Sequence, residues 1–130
     1  MIEKRRSRIQ GAGVFATRRI FKNTRIVHYA GEKISSQESL RRERRYVRKS
    51  HIWCFKLTSR TVIDAGVGGN VARFINHSCR PNCYIEISGG AIWIRAARTI
   101  RNGEELTYDY NTGGDALIMC RCRPNCQRLL

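Results

Sequence analysis

A mostly-β domain of many short strands with one inserted helix is the fold class this sequence predicts, and three observations carry that expectation. Apolar and polar residues alternate in short runs, separated by the turn signals Gly31, Gly89-Gly90 and Asn102-Gly103. Gly89-Gly90 joins the alternating stretches "NCYIEIS" and "AIWIRAAR", which reads as a tight hairpin. Only "SSQESLRRERRYVRK" combines a helix start signal with helical spacing.

Taken in order, "QGAGVF" places a turn at two glycines and then an apolar strand. "TRIVHYAGEKI", Thr24–Ile34, reads as strands on either side of Gly31. Ser35 with Glu38 three residues later is a capping-box pattern, in which a hydroxyl satisfies a first-turn amide that has no partner within the helix. Leu40 and Val47 lie two helical turns apart, so the predicted helix runs from about Ser36 to Arg48 with a basic exposed face. "IWCFKL" and "TVIDA" are short strands across the turn "TSR". "VGGNVARFI" begins as a loop and becomes a short helix. "RNGEELTYDYN" turns at Asn102-Gly103 and continues as a strand, and a coil-like tail follows "NTGGD". There is no internal repeat and no low-complexity linker.

A length of 130 residues suits one domain with a small core. No apolar run approaches the roughly 20 residues needed to span a bilayer. The N-terminal "MIEKRRSRIQGAG" has charges with no apolar stretch behind them, so the expectation is a soluble intracellular protein without a membrane partner. The formal charge is +15, and more than half of the basic residues lie in the first fifty positions, concentrated in Lys4–Arg8 and Arg41–Lys49. Such a field attracts polyanions; alone it specifies attraction and no function.

Six cysteines in a chain without a secretion signal favour metal binding over disulfides. Cys120, Cys122 and Cys126 supply three thiols in seven residues, and tetrahedral zinc takes four ligands. Cys79 and Cys83 are candidates for the fourth, with Cys54 a more distant one. Cys54, in an apolar strand, reads better as a buried small hydrophobe.

In "TYDY", strand alternation puts Tyr108 and Tyr110 on one face and Asp109 on the other. Two phenols on one face can line a narrow pocket and hold an amine in line with an electrophile; equally, they can be two core aromatics. Gly11-Ala12-Gly13 allows close approach of a backbone to a ligand, a weak signal alone. His77 alone reads as a structural histidine.

Together these segments resemble the SET-domain family of protein-lysine methyltransferases. The blocks "GAGVFA", "YAGEKI", "GNVARFINHSCRPNC" and "GEELTYDYN" carry the resemblance in the family's order, and "CRCRPNC" is similar to the family's post-SET tail. It covers the chain from about Ile9 to Cys126. The resemblance implies several small β-sheets around a pseudoknot-like crossing of the Asn76-His77 and Tyr108–Tyr110 segments. It implies a SET domain over 1–112 and a zinc-binding tail over 113–130. It also implies S-adenosylmethionine as methyl donor, contacted by Gly11, Ala12, Gly13, Arg73, Asn76, His77 and Tyr110. Tyr110 matches the catalytic tyrosine, and Tyr108 the position that sets how many methyls are added, here favouring low methylation states. Trp53, Phe55 and Tyr108 match the lysine channel, and Cys79, Cys120, Cys122 and Cys126 the zinc ligands.

The implied partner is a protein bearing a target lysine, a histone or another chromosomal protein, and the implied location is on the chromosome. The helix Ser36–Arg48 is a candidate contact to DNA. Monomer and homodimer both stay open. Three features depart from the family pattern: the second and third tail cysteines are separated by three residues instead of four, Trp53 stands where many members carry tyrosine, and a pre-SET zinc region and a targeting module are not expected. The competing reading is a SET scaffold with weak catalysis that acts as a basic chromatin-binding module.

Overall fold

The computed structural model describes residues 1–112 and 118–130. Its elements in chain order are β1 (Ile2–Arg6), β2 (Ala12–Ala16), β3 (Arg25–His28), β4 (Glu32–Ser35), α1 (Ser36–Arg48), β5 (Cys54–Lys56) and β6 (Thr61–Asp64). A 3₁₀ turn at Val71–Phe74 follows, then β7 (Asn76–His77), β8 (Cys83–Ser88), β9 (Ala91–Ala96) and β10 (Thr107–Tyr108). The mostly-β fold with one inserted helix is as expected.

The strands form four small sheets, ordered β1-β2, β4-β6-β5, β3-β9-β8 and β7-β10. The first three are antiparallel and the last is parallel. Gly89 and Gly90 both have positive φ, 60° and 74°, as a two-residue hairpin with the twist of its strands requires. Val14, Ala16, Ile92, Ile94, Ile100 and Leu106 are wholly buried, so the core lies between β2, β9 and the loops before β3 and β10. Reciprocal backbone bonds between Ile20 and Ile100 tie those two loops together. Among the described residues, no helix is long and apolar enough to cross a membrane.

Helix α1 begins where the capping pattern places it: the Ser35 hydroxyl accepts the Glu38 amide at 3.1 Å. Its inward face differs from expectation. Leu40 is 62% exposed, whereas Ser39 is buried and Arg42 and Tyr46 turn toward the sheet. The reason is a buried carboxylate. Asp64 at the end of β6 has no exposed surface and accepts from Arg42 (2.9 Å), the Tyr46 hydroxyl (2.9 Å) and the Gly66 amide (2.8 Å). A charge buried that deeply needs a cation and hydrogen bonds, and these draw the helix's polar side inward. Arg42 also pairs with Glu32 and Glu38, so it is not part of an exposed basic face.

The strand expected to run through Tyr110 is only Thr107–Tyr108. Its upstream residues pair elsewhere: Ala16 donates to the Glu104 carbonyl and Leu106 to that of Val14. The chain then changes partner and lies parallel to β7, with Thr107 opposite Asn76 and Tyr108 opposite His77. This switch sets "YDY" beside "NHSC". Likewise "IWCFKL" forms only a three-residue edge strand, and Cys54 on it is half-buried instead of sealed in the core.

Candidate active site and metal centre

Two cavities meet beside the parallel pair β7 and β10. The first, about 300 Å³, is lined by Gly11, Ala12, Trp53, Arg73, Asn76 and Tyr110, among others. The second, about 610 Å³, is lined by Tyr29, Cys54, Phe55, Tyr84, Tyr108 and Tyr110. Tyr110 faces both. Its ring centroid lies 4.9 Å from that of Tyr108, and its hydroxyl donates to the Ile75 carbonyl at 2.5 Å. Burial pushes both phenols above the ordinary tyrosine range; for Tyr108 the nearby Tyr29 and Tyr110 add to the effect. Both therefore remain protonated at neutral pH.

His77 is buried, and its Nδ1 accepts the Tyr110 amide at 3.0 Å, which fixes its neutral tautomer with the proton on Nε2. Burial also lowers its pKa. The imidazole thus ties β7 to the segment after β10, leaving backbone as its route to a ligand. Asn76 Nδ2 lies 2.8–3.2 Å from four acceptors: Ser7 Oγ, the Gln10 and Ala12 carbonyls, and Glu105 Oε2. This gathers the loop before β2 around the first cavity.

Of the glycine segment, Gly11 and Ala12 line the first cavity and Gly13 does not. Gly13 packs on the Glu105 side chain so closely that a Cβ would come within 2.3 Å of Oε2. Its role is close packing behind the wall. Trp53, expected in the lysine channel, lines the first cavity and not the second. It stacks on His51 at 4.0 Å, with the Arg73 guanidinium 4.9 Å from its ring, and its carbonyl accepts from the Tyr29 hydroxyl and the Ala65 amide. Phe55 and Tyr108 do line the second cavity.

Cys79, Cys120, Cys122 and Cys126 bring their sulfurs within 4.8 Å of one another. Cys79 lies 3.8 Å from both Cys120 and Cys126. Tetrahedral bonds of about 2.3 Å place sulfurs roughly 3.8 Å apart, so the set fits a four-thiolate metal centre, and the shortened tail spacing is accommodated. Among the alternatives for the fourth ligand, Cys79 is the one the fold delivers. Cys83 is buried, and burial pushes both it and Cys54 up to about 12, which keeps them protonated and inert. Cys122 is held down to about 7: burial opposes ionisation, but the hydrogen bond with the Cys79 backbone and bonds from the neighbouring thiols outweigh it.

The tail is more ordered than a coil. Ile118 and Leu130 exchange backbone bonds, Cys120 donates to the Arg128 carbonyl, and Cys120 and Leu130 are buried. Ile118, Met119 and Leu130 complete a wall of the first cavity. The boundary expected at 112/113 adjoins residues 113–117, which lie outside the described residues. Ser7, Tyr29, Glu105 and Arg128 are site residues that sequence reasoning missed. Glu105 and Tyr29 lie inside the quoted blocks but looked like ordinary strand positions, and nothing local marks Ser7 or Arg128.

Residues 11–111 match the SET domain family. The Histone-lysine N-methyltransferase trr of Drosophila melanogaster is 44% identical over 132 residues, which cover 95% of this chain and 5% of that protein. The Histone-lysine N-methyltransferase, H3 lysine-4 specific, of Schizosaccharomyces pombe is 42% identical over 132 residues, 95% of this chain and 14% of that one. This chain thus spans only a small part of the relatives it matches. A structure of the Chaetomium thermophilum Polycomb Repressive Complex 2 bound to GSK126 superposes with a TM-score of 0.77 at 31% identity, over 85% of this chain and 16% of that one. Matched over residues 11–111, the chain belongs to the SET-domain family, and its C-terminal cysteines resemble that family's post-SET metal-binding tail.

Proposed function

We propose that the protein is a protein-lysine N-methyltransferase that uses S-adenosylmethionine. The observation that carries this reading is the meeting of two cavities at Tyr110, one for a donor and one for a lysine entering from the opposite side. The first cavity suits the donor: Arg73 offers a cation to a carboxylate and Gly11–Ala12 an open backbone, beside the rings of Trp53 and Phe74. When bound, S-adenosylmethionine supplies an electrophilic methyl on a sulfonium.

Phe55, Tyr29 and Tyr108 confine the incoming side chain in the second cavity. Alignment of this kind is worth roughly 7–11 kcal/mol of barrier in the best cases. Tyr110, a protonated phenol held to the Ile75 carbonyl, orients the reacting groups and does not serve as a base. The lysine ammonium must first give one proton to solvent so that the neutral amine can accept the methyl, and the methylammonium product would shed a further proton to solvent. Tyr108 offers its hydroxyl to the amine or a water and so favours low methylation. Zinc on Cys79, Cys120, Cys122 and Cys126 would hold the tail against the donor cavity. In this reading residues 1–112 are the catalytic SET domain and 113–130 the post-SET tail.

The substrate is a histone or another chromosomal protein, by likeness to the relatives' names, and the protein acts on the chromosome. DNA contact through α1 rests on Arg44, Arg45 and Arg48, since Arg41 and Arg42 are engaged by acids. The test is methyl transfer from labelled donor to histones and total cell protein, read by mass spectrometry beside Tyr110→Phe. Lysine methylation lost in the mutant is the expected result. Donor binding with no transfer to any protein would sink it in favour of a binding module.

A further inference from the structure

Asp109 lines the second cavity between Tyr108 and Tyr110, and the catalytic reading gives it no task. Its carboxylate caps the Asn111 amide at 2.8 Å and lies 3.7 Å from His77 Nδ1. Two nitrogens of Arg128 grip it, Nη1 at 3.1 Å and Nη2 at 3.2 Å. The same Nη1 lies 3.7 Å from Cys79 Sγ. One guanidinium therefore stands between the tyrosine segment and the thiol cluster.

Charge explains why a cation is needed there. Four thiolates around a divalent metal carry a net charge of two minus, and Asp109 adds another negative charge beside them. The carboxylate is held ionised: burial opposes this, but the Asn111 amide and Arg128 prevail. Without a cation between them, the tail and the tyrosine segment would repel. A guanidinium with two parallel donors suits a carboxylate on one edge while leaving charge toward sulfur. The backbone carries the consequence onward. The Arg128 carbonyl accepts from Cys120, and two residues later Leu130 pairs with Ile118, so the Arg128 segment places Ile118, Met119 and Leu130 in the wall of the first cavity.

We propose that Arg128 is a positioning residue that clasps the metal-bearing tail to Asp109 and thereby closes the donor cavity. It touches neither donor nor lysine; it acts through the tail. The inference rests on the reading of the first cavity as the donor site. Both groups are partly exposed, with side-chain exposures of 38% for Arg128 and 39% for Asp109, so the effect belongs to the modest range of half-solvated ion pairs and is sensitive to salt.

The experiment uses the whole zinc-loaded chain and compares Arg128→Ala, Arg128→Lys and Arg123→Ala. Arg123 is an exposed cation of the same tail and controls for lost charge alone. Two quantities are read: the Kd for S-adenosylhomocysteine by calorimetry, and the chelator concentration that releases half of the zinc. Arg128→Ala is expected to weaken product binding about threefold and to lower the chelator midpoint several-fold. Arg128→Lys should restore part of both, because it keeps the charge and loses the fork. Arg123→Ala should match the wild type. If Arg128→Ala behaves like Arg123→Ala in both readouts, the clasp is overturned. If the wild type binds no S-adenosylhomocysteine, the donor-site reading fails. The chelator midpoint then decides the clasp: lowered in Arg128→Ala it stands, unchanged it falls.

Discussion

The Glu105 carboxylate lies 2.8 Å from the Asn76 side-chain amide and receives the Ser7 hydroxyl at 2.8 Å on both oxygens. Three distant parts of the chain thus meet behind the first cavity. Asn82 steadies the same segment, donating to the Glu105 carbonyl and accepting the Thr107 amide.

Glu105→Gln should loosen this meeting point. An amide has one acceptor oxygen where the carboxylate has two, so one donor loses a charged partner, a loss of about 1.5–3 kcal/mol in folding stability. The Ser7–Ala12 loop should then hold a donor less well. The expected outcome is a lower denaturation midpoint together with a several-fold higher donor KM, measured by urea unfolding and steady-state kinetics.

The pH dependence of methyl transfer follows from the two phenols. Burial raises both pKa values, so the neutral forms of Tyr108 and Tyr110 extend to higher pH than an ordinary tyrosine of about 10. The target amine ionises near 10.4 when unperturbed, and its neutral fraction grows about tenfold per pH unit below that. The value of kcat/KM should therefore rise from pH 7 to 9 without a falling limb. Tyr108→Phe should keep that profile and shift the products toward higher methylation states, seen by mass spectrometry.

Acid should loosen α1. Hydrogen bonds from Arg41 and then Arg42 lower the Glu38 pKa from 4.5 to about 2. A depressed folded-state pKa means stability that is present above 4.5 and lost as pH falls toward about 2. Thermal unfolding followed by circular dichroism should show Tm declining through that window. Glu38→Gln should have a lower Tm at neutral pH and a flatter decline.

Metal content separates the six cysteines. Cys79→Ser should lose zinc, since its sulfur is one of the four that converge. Cys54→Ser should keep it, because that thiol lies outside the group. Emission spectrometry of the purified variants gives the answer. Chelator treatment of the wild type should weaken donor binding along with metal loss, because the tail lines the first cavity.

The sequence by itself determined the elements that depend on neighbours along the chain. The Ser35 cap, the Gly89-Gly90 hairpin and the start and end of α1 follow from local geometry, and so they were legible. The quoted blocks also pointed to the cysteines and to Tyr108 and Tyr110, because short ligand spacing and strand alternation are local facts as well. Only the tertiary structure decided what depends on residues far apart. Leu40 faces solvent because buried Asp64 claims Arg42 and Tyr46 for the helix's inner side. Cys79, not Cys83, joins the tail because the turn after β7 aims one thiol at the cluster while Cys83 packs inward on β8. Trp53 lines the first cavity because its carbonyl is held by Tyr29 and Ala65 and its ring lies against His51. Ser7 carries no local signal, Glu105 looks like an ordinary strand position within its block, and Arg128 again carries no signal. Their partners are 69, 29 and 19 residues away, and a hydrogen bond across such a separation exists only once the chain has crossed itself.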